Sequence, residues 1–148
     1  MSPLLLIGGG GHCLACIDVI EAEGKHKVVG IVERNGEMGS PVLGYEVLGN
    51  DNNLTELLKK YPTALITVGQ IKSADLRMKL YYSLKEMGTR LPKVLSPHAY
   101  ISKHTTLLDG TIVMHGAIIN AGSSIGENCI INTQALIEHD AVVESHCH

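Results

Sequence analysis

Residues 95–147 read LSPHAYISKHTTLLDGTIVMHGAIINAGSSIGENCIINTQALIEHDAVVESHC, and a single spacing runs through them. An aliphatic residue stands at 95, 101, 107, 113, 119, 125, 131, 137 and 143, with no miss in nine positions. Four residues after each comes a small one: Ala99, Thr105, Thr111, Ala117, Ser123, Cys129, Ala135, Ala141 and Cys147. A hexapeptide period is the signature of a parallel β-helix. The aliphatic residue points into a narrow prism and stacks on its equivalents in neighbouring coils, while the small residue fits near a corner. An ordinary β-sandwich would alternate with period two instead. The register predicts that Ile119, Ile125, Ile131 and Ile137 are almost fully buried.

Upstream the period changes. Over residues 1–92, strand and helix signals alternate. PLLLIGGGG (3–11) reads as a buried strand running into a glycine turn, and 12–24 follows with Leu14, Ile17 and Ile20 at helical spacing before Gly24. KVVGIVE (27–33) is a second strand, NLTELLKKYP (53–62) a helix with a Leu stripe and a Pro stop, and TALITVGQ (63–70) a third strand. A longer helix covers 73–88, and GYEVLGN (44–50) is a short strand or a loop. Such alternation builds a small parallel sheet with helices on its faces. The expected organisation is a Rossmann-like α/β domain at 1–92 followed by β-helix coils at 93–148.

Bulk properties bound the function. Net charge is −3 at pH 7, which marks no nucleic-acid binder. The chain has 16 Gly and neither Phe nor Trp, so its core is built from small and β-branched side chains. No stretch reaches the ~20 apolar residues of a membrane span, and the opening lacks the basic flank of a signal peptide. Four cysteines are too few for a secreted disulfide framework, which makes the cytoplasm the expected location.

Three stretches carry candidate chemistry. GGGGHC (8–13) between a strand and a helix sets backbone N–H groups and a helix N-terminus around an anion. Gly8 and Gly10 fit the start of a dinucleotide fingerprint, with Glu33 where a ribose-binding acid would stand, but the third glycine position is Cys13. A tight turn needing glycine only for its backbone freedom is the plainer reading. CLAC (13–16) has redox spacing, yet its cysteines lie among small and apolar residues of a helix packed on a sheet. The closing IEHDAVVESHCH (137–148) crowds His139, His146, Cys147 and His148 together. Zinc needs ligands converging at ~2.0–2.3 Å, whereas the register turns Cys147 into the prism and sends His146 and His148 elsewhere. His139 sits on a side position two residues past Ile137. There it is a rung residue or, with Asp140 to orient it, an acid–base group active near neutral pH. His115, in an equivalent turn, reads as a structural or rim residue.

A glycine-rich βαβ domain followed by hexapeptide repeats resembles the NeuD/PglD-type sugar acetyltransferases, most specifically in GGGGH, VGIVE, ITVGQ and NTQALIEHD. That resemblance covers the whole chain and implies a left-handed β-helix with three hexapeptides per coil, and a homotrimer. It also implies several coils beyond the position of His148, so that the chain stops short of its relatives and much of the acetyl-coenzyme A site lies outside it. It further implies that the first domain holds a nucleotide-sugar through Gly10, Gly11 and His12, with Glu33 and Arg34 near the nucleoside and Gly69 at the end of the third strand. An acidic pair is common in the family where Glu33 and Arg34 stand here. By the same resemblance His139 is the general base, Asp140 assists it, Asn132 lines the acceptor site and His148 contacts acetyl-coenzyme A, with no metal. The implied activity is acetyl-coenzyme A-dependent N-acetylation of a nucleotide-linked amino sugar for bacterial surface glycans. O-acetylation of sialic acid or a related nonulosonate is the alternative. A non-catalytic nucleotide-sugar-binding protein is a rival from another class. An NAD-dependent sugar oxidoreductase is disfavoured by Cys13 and by the repeats.

Overall fold

The structure, a computed structural model, describes residues 1–34, 39–70 and 72–148. Its first part is a four-stranded parallel sheet of β1 (Ser2–Ile7), β2 (His26–Val32), β3 (Val47–Gly49) and β4 (Ala64–Ile66), in the order β3-β2-β1-β4. The stretch 44–50, open between strand and loop in the sequence, supplies edge strand β3. Alternation along β1 divides the core in two. Leu4 and Leu6 face α1 (Gly11–Glu23), while Leu5 and Ile7 face α2 (Leu54–Lys60) and α3 (Asp75–Glu86).

Helix α1 is buried on two sides. Cys13, Cys16, Ile17, Val19 and Ile20 are all inaccessible, packed between the sheet and Val94, Ile112 and Ile130 of the repeats. The buried stripe is 13, 16, 17 and 20, so Leu14, which the helical spacing placed on it, is off the stripe and 51% exposed. The helix ends at Gly24, whose φ of 72° allows its N–H to reach the Ile20 carbonyl.

From residue 94 the chain winds through nine two-residue strands: β5 (Val94–Leu95), β6 (Tyr100–Ile101), β7 (Thr106–Leu107), β8 (Ile112–Val113), β9 (Ile118–Ile119), β10 (Ser124–Ile125), β11 (Ile130–Ile131), β12 (Leu136–Ile137) and β13 (Val142–Val143). They stack as three parallel sheets, β5-β8-β11, β6-β9-β12 and β7-β10-β13. Val94 pairs with Ile112 and Ile112 with Ile130, so one coil is 18 residues. The inward register holds throughout: Val113, Ile119, Ile125 and Ile131 form one core, joined by Leu95, Ile101, Leu107, Ile137 and Val143. Ile137 departs from the expected burial. It is half-buried, on β12, the outer strand of its sheet among the described residues.

At the other edge, α1 supplies a cap. The Leu95 N–H, which has no preceding coil to pair with, donates to Glu23 Oε2 at 2.9 Å. A second period of six is visible in the backbone. Gly110, Gly116, Gly122, Asn128, Gln134, Asp140 and His146, each three residues past an inward aliphatic, have φ between 56° and 81°.

Candidate functional site

The end of β1 opens into a cleft of about 870 Å³. Gly8 must be glycine: its φ is 117°, and a Cβ would come within 2.5 Å of Val68 Cγ2. Gly9 is needed for another reason, since a Cβ there would run into the Glu33 carboxylate, which also leans on Gly39. Around Gly10 and Gly11 nothing lies within 4 Å of where a Cβ would be. Packing does not require their bareness, whereas a ligand approaching the backbone at the start of α1 would. Gly10 is the N-cap of that helix and no side chain caps it, so its first-turn N–H groups face the cleft with the positive end of the helix dipole behind them.

His12, Glu33, Arg34, Gly69 and His148 line the same cleft, together with Gln70 and Lys72. Burial, reinforced by nearby Arg77 and His148, lowers the pKa of His12 to about 4, so the ring is neutral near pH 7. Its Nε2 lies 3.2 Å from Cys16 Sγ. Burial pushes the Cys13 thiol up to about 11 and that of Cys16 still higher. The CLAC pair is therefore un-ionised and inert, consistent with its packing role.

His148 bridges the two halves of the chain. Its Nδ1 donates to the Gln70 carbonyl at 2.8 Å, and its Nε2 accepts from Asn132 Nδ2 at 3.3 Å. The structure thus gathers Gly10, Gly11, His12, Glu33, Arg34, Gly69 and His148 at one cleft and ties Asn132 to it.

His139 and Asp140 stand apart from that cleft as an exposed pair on a corner of the prism. His139 Nδ1 donates to Asp140 Oδ2 at 2.8 Å, with side chains 75% and 78% exposed. This bond fixes the tautomer and leaves the Nε2 lone pair open to solvent. The carboxylate raises the His139 pKa, by the hydrogen bond first and by its charge second.

His146 and His115 make structural contacts instead. His146 is buried, with Nδ1 accepting from Asn128 Nδ2 at 2.9 Å and Nε2 reaching the Tyr82 hydroxyl at 3.2 Å. His115 bridges Ser96 Oγ at 2.6 Å and Asp18 of α1 at 3.2 Å. Among the described residues no three His, Cys, Asp or Glu side chains converge as metal ligands would, and no helix is long and apolar enough to cross a membrane.

Sequence reasoning missed Arg77. It is 1% exposed and donates to the Ile66 and Val68 carbonyls under the cleft and to both Asn128 oxygens in the β-helix. Its signal was present: Arg77, Tyr81 and Leu84 share the buried stripe of α3, where a charged residue needs a reason.

The same architecture is found in solved structures. The chain aligns over its full length with a variant of perosamine N-acetyltransferase from Caulobacter crescentus, in complex with CoA and GDP-perosamine (33% identity, TM-score 0.91), covering 68% of that chain. PerB from the same organism, with the same ligands, aligns at 34% identity and TM-score 0.88, again over 100% of this chain and 68% of that one. The acetyltransferase domain of PglB from Neisseria gonorrhoeae, in complex with acetyl coenzyme A, aligns over 97% of this chain and 68% of that chain, at 27% identity and TM-score 0.80. A comparison with curated protein sequences returns no significant match. Residues 3–84 match the PglD N-terminal domain. With that domain followed by coils of a left-handed β-helix, the chain belongs to the PglD family of acetyltransferases.

Proposed function

We propose that this protein transfers the acetyl group of acetyl-coenzyme A to the amino group of a nucleotide-linked amino sugar used for bacterial surface glycans, with His139 as general base. One observation carries the reading: the Nδ1 bond to Asp140 leaves Nε2 of an exposed, carboxylate-supported imidazole free to take a proton. The acceptor amine attacks the thioester carbonyl, Nε2 removes the ammonium proton and passes it to the departing sulfur, and the coenzyme leaves as its thiol. Asp140 stabilises the imidazolium, and a backbone N–H of the β-helix stabilises the oxyanion. Gly10 and Gly11 receive the diphosphate on bare backbone at the start of α1. Neutral His12 hydrogen-bonds beside them, Glu33 and Arg34 meet the nucleoside, and Gly69 closes the floor. Asn132 lines the acceptor side, and His148 meets acetyl-coenzyme A. This divides the labour at residue 92: nucleotide-sugar binding before it, acyl transfer after it.

The amine acceptor is favoured over a sialic acid hydroxyl because the perosamine enzymes, at 33–34% identity, bind GDP-perosamine. An exposed base also needs enclosure. On the outer face of β6-β9-β12, register-paired Tyr100, Ile118 and Leu136 form an apolar stripe, 59%, 43% and 58% exposed. A second copy covering this stripe and a third closing the ring make the homotrimer in which neighbouring coils enclose the base. The cytoplasm, which holds both substrates, suits four free cysteines.

The deciding experiment is acetyl-coenzyme A turnover by the whole protein against UDP-, GDP- and CMP-sugars with amine or hydroxyl acceptors. Turnover with an amino sugar is expected. Acetylation of a nonulosonate hydroxyl alone would move the reading to O-acetylation, and tight nucleotide-sugar binding without turnover would refute catalysis.

A further inference from the structure

Asp140 belongs to the backbone series in which, from Leu107 onward, the third residue after each inward aliphatic is left-handed. One coil below it, 18 residues earlier, stands Gly122. The Asp140 N–H donates to the Ala121 carbonyl at 3.1 Å, which sets Asp140 directly over that lower turn. Its carboxylate folds down there: a Cβ on Gly122 would overlap Asp140 Oδ1 and lie 3.1 Å from Cγ. The other carboxylate oxygen accepts from His139 Nδ1.

Backbone conformation alone does not explain glycine at 122. Asn128, Gln134, Asp140 and His146 adopt the same left-handed φ with full side chains. What is particular to 122 is the carboxylate lying in its side-chain volume. Gly116 is the natural comparison: its φ is 75°, against 81° at Gly122, but a Cβ there would meet Gln134 and not the catalytic pair.

We infer that Gly122 is a positioning residue, the seat that holds the Asp140 carboxylate in line with His139 and so keeps Nε2 as the free base. Its effect on rate rests on the reading of His139 as base, while its effect on the imidazole does not. The charged groups acting on that ring are Asp140, dominant, and Glu138, weaker, both raising its pKa. Any side chain at 122 displaces the first of these.

The test is the NMR titration of the His139 ring in the whole protein, identified by comparison with His139→Gln, for wild type, Gly122→Ala and Gly116→Ala. Wild type and Gly116→Ala should titrate above 6.5, and Gly122→Ala should fall back toward 6.5. The acetyl-transfer pH profile of Gly122→Ala should move to lower pH by the same amount, with KM for the nucleotide-sugar unchanged. A Gly122→Ala ring titrating like wild type, or a Gly116→Ala ring falling equally, overturns the inference. If Gly122→Ala does not fold, Asp140→Gly added to it should restore folding, since the colliding carboxylate is then gone. A double variant that stays unfolded overturns the inference as well. Full activity in His139→Ala would sink the base reading and leave the titration result standing.

Discussion

His139 and His146 carry the same imidazole into opposite surroundings. Beside Asp140 and open to solvent, His139 is pushed up; enclosed by Asn128 and Tyr82, His146 is pushed down, chiefly by burial. Only the first is free to take and release a proton near neutral pH. A base must be neutral to act, so with its pKa raised the acetyl-transfer rate should climb with pH through an apparent value above 6.5. His139→Ala should lower kcat by ~10²–10⁴-fold while nucleotide-sugar binding, measured by calorimetry, stays near wild type. Wild-type turnover in that variant would refute the assignment, as would turnover abolished by chelators and restored by zinc. His139 could be singled out in the sequence because its neighbours form a compact motif. The Arg77–Asn128–His146 network could not, because its members lie 51 and 18 residues apart and meet only after the prism has packed on α3.

Among the elements, the two-residue strands of the prism were the most legible, because a triangular coil repeats one environment every six residues and tolerates no exception inside. Helix α1 was less so. A helix covered on two sides has no single apolar stripe to read, and Leu14 was assigned to a face that Cys13 and Cys16 in fact occupy. The same logic grades substitutions by the side of the strand they fall on. Ile131 points inward and is 4% exposed, whereas Thr106 points outward and is exposed. Ile131→Asp should cost several kcal/mol in a denaturant melt, by enclosing an unpaired charge. Thr106→Asp, on the outward side of β7, should cost clearly less, since its carboxylate stays in water. Equal losses would mean that the inward core is not what holds the coils together.

For the molecule as a whole, the pairing of a parallel sheet with a prism was readable from the change of period, but their joint core was not. That core depends on α1 having two buried sides, on Glu23 capping the first coil, and on Val94, Ile112 and Ile130 turning their outward faces to it. The stripe of Tyr100, Ile118 and Leu136 is the face through which we propose that copies assemble. Light scattering should give three chains per particle, and Ile118→Asp should shift the mass toward one chain while leaving the circular dichroism of each chain intact. A wild-type monomer would remove the proposed enclosure of His139. The 18-residue coil also sets an arithmetic for insertions and deletions between residue 95 and His139. A lost hexapeptide keeps every aliphatic residue pointing inward, so the fold survives, but it carries His139 a third of a turn around the prism, away from its corner. A lost coil returns the histidine to the same bearing one storey lower. Steps of eighteen thus keep both fold and bearing, steps of six keep the fold and forfeit the chemistry, and any other length turns the aliphatic residues out of the prism.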